Sequence, residues 1–145
     1  MPVLNAFIAR TIAWYLVIAG AITATSILFA VDIGLFTPIF GGIVDYTPAS
    51  VPALRHWGFL IFGIGALMIV AAFRPWLRFE TMLFCTLEKC FIVYLFLSNL
   101  GEPWVKGYLG AAIVDGSIAA YGILYFLSDQ GRPSRWIKDE GIDRR

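Results

Sequence analysis

Residues Phe79–Leu97 read FETMLFCTLEKCFIVYLFL. As a helix this run is about as long as the ~30 Å hydrocarbon layer of a bilayer is thick, at ~1.5 Å per residue. Glu88 and Lys89 sit at its centre. A charge there costs at least ~2.5–3.5 kcal/mol on insertion scales. The surrounding chain must therefore supply whatever makes that pair tolerable.

Composition gives the solvent. Of 145 residues, 59% are hydrophobic and 14% charged. A soluble domain uses about 25% charged residues to cover its surface, so lipid must be the main solvent here. A net charge of +1, without a run of Lys and Arg, argues against a nucleic-acid partner. The two cysteines, Cys85 and Cys90, both lie within the quoted stretch. Five residues apart on a helix, they point roughly 140° away from each other. They read as small apolar fillers rather than a disulfide or redox pair.

Moving outward, three further apolar runs emerge. Thr11–Val31 carries no charge and follows Arg10, with Asp32 at its exit. It reads as a retained span rather than a signal peptide, because three more spans follow closely. His56–Phe73 is the second span, with Ser50 as candidate N-cap and Arg55, His56 and Trp57 as an interfacial anchor. Gly58, Gly63 and Gly65 thin one side of it for close helix packing. Arg74–Arg78 is a tight turn, and Pro75 suits the first position of the third span, 79–98. A second tight turn, Asn99–Pro103, leads to the fourth span, 104–127, with Pro103 opening it.

Residues 32–55 are rich in Pro and Gly but too apolar for a solvated loop, so they should cap the bundle or lie in the interface. Residues 128–145 read as a mobile polar tail, with Trp136 able to touch the membrane surface. The expected fold is all-α: a single-domain, four-helix transmembrane bundle. Its termini and the 74–78 turn share one side, with Arg10, Arg74, Arg78, Arg132, Arg135, Lys138, Arg144 and Arg145. The other side has only Arg55 and Lys106. The positive-inside rule then puts both termini in the cytoplasm.

The third and fourth spans form a hairpin that pairs residues whose numbers sum to about 203. Glu88 then lies level with Asp115 near the bilayer midplane. Three ionisable groups, Glu88, Lys89 and Asp115, meet at one depth. Asp115 shares its face with Tyr108, Ala111, Ala112, Ala119 and Gly122. A small-residue ladder of Ala112, Gly116 and Ala120 runs beside it. Glu88 aligns with Thr81, Phe84, Cys85, Ile92 and Leu95, while Gly63 and Gly65 on the second span leave room for Lys89. Two carboxylates and one lysine leave an unbalanced charge, so one carboxyl should keep its proton or bind a cation or water. The first reading of this cluster is a polar clasp that fixes helix register. A proton or ligand site comes next, and a catalytic site last.

Other candidates carry less. His56 is the single histidine, which excludes a bis-histidine haem within one chain and gives no metal cluster. Neither a cofactor nor a catalytic residue is expected, because no phosphate loop, nucleophile elbow or H-E-x-x-H pattern occurs. Thr23, Thr25 and Ser26 should bond back to their own helix.

The run RHWGFLIFGIGALMIVAAFRPWLR, the Glu88-Lys89 step and the Val114-Asp115-Gly116 step resemble the BphX-like family of small bacterial four-span membrane proteins. DoxX-like proteins are a more distant likeness. The resemblance covers residues 55–127 and implies a four-span fold in a bacterial inner membrane, with no activity attached. The favoured role is a non-enzymatic accessory or binding protein whose partner is the lipid bilayer, with a homo-oligomer or a membrane complex as a further expectation. The alternatives are a proton-coupled carrier of a small or hydrophobic molecule and an enzyme acting on a lipid or hydrophobic substrate. Water at the cluster favours the carrier, and a dry, fully paired cluster favours the clasp.

Overall fold

The structure is a computed structural model that describes residues 2–35 and 47–132. Among these, every regular element is helical. The helices are α1 (Pro2–Ala24), α2 (Ile27–Val31), α3 (Val51–Phe73), α4 (Arg78–Ser98) and α5 (Leu109–Leu127). Short 3-10 turns at Ile33–Leu35, Pro75–Leu77, Pro103–Tyr108 and Asp129–Gly131 join or end them. Four helical stretches are long and apolar enough to cross a membrane: Pro2–Val31, Val51–Phe73, Pro75–Ser98 and Val105–Leu127. Their outward faces carry large apolar side chains such as Trp14, Phe59, Phe84, Phe91 and Ile113. In water such a surface would aggregate, whereas in lipid it is ordinary.

Several expected boundaries move. The first helical stretch begins at Pro2 rather than Thr11 and runs through Arg10. Its extra turns pack against the bundle, with Ile8 fully buried, while Arg10 is exposed at the end, where a charge stays hydrated. This stretch is also interrupted. At Thr25 and Ser26 the backbone amides bond three residues back, to Ile22 and Thr23, and α2 starts only afterwards. Ser50 is the N-cap of α3, as expected, and Pro52 lies in its first turn. The Ser50 hydroxyl faces backward: Ser50 Oγ accepts from the Thr47 amide at 2.9 Å and Thr47 Oγ1 accepts from the Ser50 amide at 3.3 Å. Pro75 and Pro103 open 3-10 turns, so α4 starts at Arg78 and α5 only at Leu109. The tail begins docked: Ser128 is buried, the Asp129 amide donates to Asn5 Oδ1 at 3.0 Å, and the Asn5 amide group donates back to the Asp129 carboxylate. Trp136, the rest of the tail and residues 36–46 of the 32–55 segment lie outside the described residues.

Helix packing follows from where side chains are missing. A Cβ on Gly20 would come within 2.7 Å of the Gly65 carbonyl oxygen, and one on Gly58 within 2.9 Å of the Ser26 carbonyl oxygen. The first span and α3 therefore touch backbone to backbone, antiparallel. Gly58 and Gly65 are two helical turns apart on one face. Gly63 is roughly 200° round from Gly65 and has nothing within 4 Å. Neither Gly63 nor Gly65 makes room for Lys89, contrary to expectation. Between α4 and α5 the close approach is Gly122 on Thr86, where an added Cβ would land inside the threonine side chain.

The two hairpins join at the end of the bundle that carries the 74–78 turn. Ile8, Ile12 and Leu16 of α1, Met68 and Ala71 of α3, Met82 and Cys85 of α4, and Ile118 and Tyr125 of α5 form one buried core. Cys85 Sγ lies 3.5 Å from Met68 Sδ within it. The Tyr15 and Tyr121 rings stack with centroids 3.6 Å apart; Tyr15 donates to the Ile118 carbonyl at 3.1 Å, and the Thr11 and Tyr121 hydroxyls are 2.8 Å apart. Arg78 donates to the Ala71 and Ala72 carbonyls at 3.1 and 2.7 Å, covering the end of α3. Its cation suits the negative end of the helix dipole.

Candidate functional site

The midplane cluster forms. Lys89 is buried on the inner face of α4 with Thr81, Met82, Cys85 and Thr86. Its Nζ lies 2.9 Å from Asp115 Oδ1 and 3.1 Å from Glu88 Oε2. The lysine side chain is 5% exposed, against 16% for Asp115 and 19% for Glu88. The hairpin register expected from the sequence therefore brings all three together. The two contacts are similar in length, and the Glu88 Oε2 atom is itself buried. Glu88 stands at the edge of the inner face, and Phe84, expected to share that face, is 61% exposed and points to lipid. Asp115 sits only six residues into α5, below the long 3-10 turn.

A cleft of about 310 Å³ reaches the cluster in the half of the bundle away from the Ile8–Tyr125 core, between the first span, α3, α4 and α5. Lys89, Asp115, Ala111 and Val114 line it from α4 and α5, Ile61 and Trp57 from α3, and Thr23, Thr25, Ser26 and Phe29 from the first span. Its origin is local. The first span and α5 are pinned together lower down by Thr11, Tyr15, Ile118 and Tyr121. Above that level the interruption at Thr25–Ser26 and the 3-10 turn at Pro103–Tyr108 replace straight helix on the two facing elements. A 3-10 stretch of six residues is long for that geometry. Helices that diverge leave space that side chains as small as Ala111 and Ser26 do not fill.

The polar residues of the interruption have separate roles. Thr25 Oγ1 bonds back to the Ile22 carbonyl at 2.6 Å. Ser26 is 5% exposed, and its hydroxyl has no hydrogen-bond partner, unlike the back-bonding expected. The interfacial trio also separates. Arg55 reaches across to the end of α2 and donates to the Ala30 carbonyl at 2.7 Å. His56 is exposed. Trp57 stacks over Phe29, with centroids 6.4 Å apart, as a wall of the cleft. Phe29 escaped sequence reasoning, and Ser26 and Ala111 were named without being placed together, because their meeting depends on the first and fourth spans closing the bundle. The one available signal was the Thr23-x-Thr25-Ser26 cluster of hydroxyls in an otherwise apolar run.

A second, apolar notch of about 190 Å³ lies between α4 and α5, lined by Ile92, Leu95, Phe96, Tyr108, Ala111 and Ala112. Among the described residues no group of three or more His, Cys, Asp or Glu is arranged to hold a metal. What the site can do is present the Lys89 ammonium and the Asp115 carboxylate to whatever enters the cleft, with Glu88 on the lysine but outside the lining. Compared with models of known protein families, with characterised proteins and with solved structures, the chain has no match.

Proposed function

We propose that this is a small multi-pass binding protein of a bacterial inner membrane, of the BphX-like kind, with both termini cytoplasmic. Its cleft faces outward and brings a small water-borne ligand to the Lys89–Asp115 pair at mid-depth. The observation that carries this reading is the cleft itself: it ends on Lys89 and Asp115, which a sealed clasp would leave closed off from the surface. The orientation rests on the eight-to-two distribution of basic residues.

A carrier working as a homo-oligomer is the second reading. It is favoured by the contrast between an open half ending on ionisable groups and a half closed by the Ile8–Tyr125 core. Alternation between such states is how transporters expose a midplane site.

Cysteine accessibility tests the proposal. In a background with Cys85→Ala and Cys90→Ala, an Ala111→Cys thiol should react with a small membrane-impermeant methanethiosulfonate added outside intact cells. Ile113→Cys, far more exposed but facing lipid, should not react, because the reagent attacks hydrated thiolate. An unreactive Ala111→Cys, or reaction only in inverted vesicles, overturns the outward cleft.

A further inference from the structure

Glu88 is the member of the trio that the cleft does not use. It lines neither the cleft nor the apolar notch. It stands at the midpoint of α4, Arg78–Ser98, and its side chain is nonetheless 19% exposed. One turn before and after it on the same side of the helix, Phe84 and Phe91 are 61% and 58% exposed, and Leu95 beyond them is also exposed. On its other side Cys85 is buried in the core. Glu88 therefore lies where the inner face of α4 meets lipid, at a depth where lipid offers a carboxylate neither water nor a counter-charge.

Counting charges leads to the same residue by a separate route. Among the described residues Lys89 is the one cation at this level, with Asp115 at 2.9 Å and Glu88 at 3.1 Å. The remaining ionisable group beside Glu88 is the Cys85 thiol, one turn away. On α3 the ionisable residues, Arg55, His56 and Arg74, lie at the helix ends, and Tyr15 of the first span is bonded to Ile118. Lys89 and Asp115 balance each other. A further negative charge on Glu88 would stand unbalanced in a medium of low dielectric. Asp115 opens on the cleft, where water can hydrate its charge, and makes the shorter contact. Glu88 has neither advantage.

We infer that Glu88 is a proton-binding site embedded in the membrane: it carries its proton at neutral pH beside the Lys89–Asp115 ion pair, with its exposed side toward lipid. Its occupancy answers to Asp115 through the shared lysine. When Asp115 loses its charge, Glu88 becomes the sole counter-charge of Lys89 and releases the proton. A protonated carboxyl that faces lipid is also a modification site for a hydrophobic carbodiimide. The carboxyl proton passes to a carbodiimide nitrogen and the carboxyl oxygen bonds to the central carbon. Away from water the acyl group then migrates from oxygen to nitrogen, leaving a stable N-acylurea with no atom lost.

The test treats the full chain, in phosphatidylcholine liposomes at pH 7, with N,N′-dicyclohexylcarbodiimide and locates the adducts by peptide mass spectrometry. Glu88 should be modified at least tenfold more than Glu80 and Glu102, which are exposed near the two ends of α4. Closure to an amide with Lys89, releasing dicyclohexylurea and a proton, counts as modification of Glu88. Glu88→Gln should remove the adduct. Asp115→Asn should lower modification of Glu88 at least tenfold, a response that a carboxyl with a purely structural role would not give. Should Asp115→Asn not fold, the unaltered chain decides: modification at pH 5 and at pH 7 should agree within twofold. A hydrated glutamate, about one in 500 protonated at pH 7, loses most of its reactivity over that range. No adduct at Glu88 at pH 7, an adduct at Asp115 in its place, a Glu88 adduct indifferent to Asp115→Asn, or a steep fall between pH 5 and pH 7 overturns the inference.

Discussion

Replacing Lys89 by methionine keeps most of the unbranched side chain and removes the one cation that Asp115 and Glu88 share. Opposite charges with centres ~4 Å apart attract by about 4 kcal/mol at an effective dielectric near 20. Removing one member of a buried pair typically costs ~3–5 kcal/mol, because the partner is left uncompensated. The two carboxylates here keep 16% and 19% exposure on the cleft, so hydration softens the loss, and about 3 kcal/mol is expected. The sharper quantity is the coupling in a double-mutant cycle. Combined with Asp115→Asn, Lys89→Met should be less destabilising than the sum of the two single changes by about 2 kcal/mol. The matching cycle with Glu88→Gln should give a smaller coupling. Its contact is longer, 3.1 Å against 2.9 Å, and Glu88 keeps slightly more exposure, 19% against 16%. Unfolding of the purified protein by SDS titration in mixed micelles, followed by circular dichroism, supplies the free energies. Additivity of Lys89→Met and Asp115→Asn within ~0.5 kcal/mol would refute the pairing. A larger coupling to Glu88 than to Asp115 would refute the assignment of Asp115 as the principal partner.

Three further outcomes test the packing. Gly65→Val should separate the first span from α3, because its Cβ has no space beside the Gly20 carbonyl and the Ala24 backbone; Gly63→Ala, in open space, should stabilise by up to about 1 kcal/mol through helix propensity, both read in the same SDS titration. Gly122→Ala should destabilise by at least ~1–3 kcal/mol through overpacking against Thr86, and Thr86→Ala in the same chain should restore much of the loss; a double variant no better than Gly122→Ala alone would show that the two do not share that space. Asn5→Ala should loosen the docked turn at Asp129, which loses its side-chain and backbone partners, seen as faster amide exchange at Asp129 and Gln130 with the helical content unchanged.

Some of this protein was written along the chain. Four apolar runs separated by Pro- and Gly-containing turns specify spanning helices, because lipid leaves the backbone no hydrogen-bond partner but itself. The short turn at Asn99–Pro103 fixes the register of the last two spans, which is why Glu88, Lys89 and Asp115 are legible as neighbours from the sequence. Local sequence also specified the close glycine packing of α3, although not which glycines, since Gly63 and Gly65 differ only in the face they present.

What the chain alone did not determine depends on elements far apart in sequence. The cleft exists because the first span is interrupted at Thr25–Ser26 and α5 is delayed to Leu109, and because those two elements face each other. Neither irregularity is fixed by composition: residues 22–29, ITATSILF, carry three hydroxyls but no Pro or Gly and read as continuous helix. Their meaning appears only when Tyr15 and Thr11 pin the first span to Ile118 and Tyr121 and leave the other half apart. The same closure turns Trp57 from an interfacial anchor into a wall and leaves the Ser26 hydroxyl buried without a partner. Hydropathy and turn length act between neighbours in the chain and so fix helices and hairpins. Whether the polar cluster is sealed or reached by water is decided by how two hairpins lean on each other, a sum of weak apolar contacts over every helix at once.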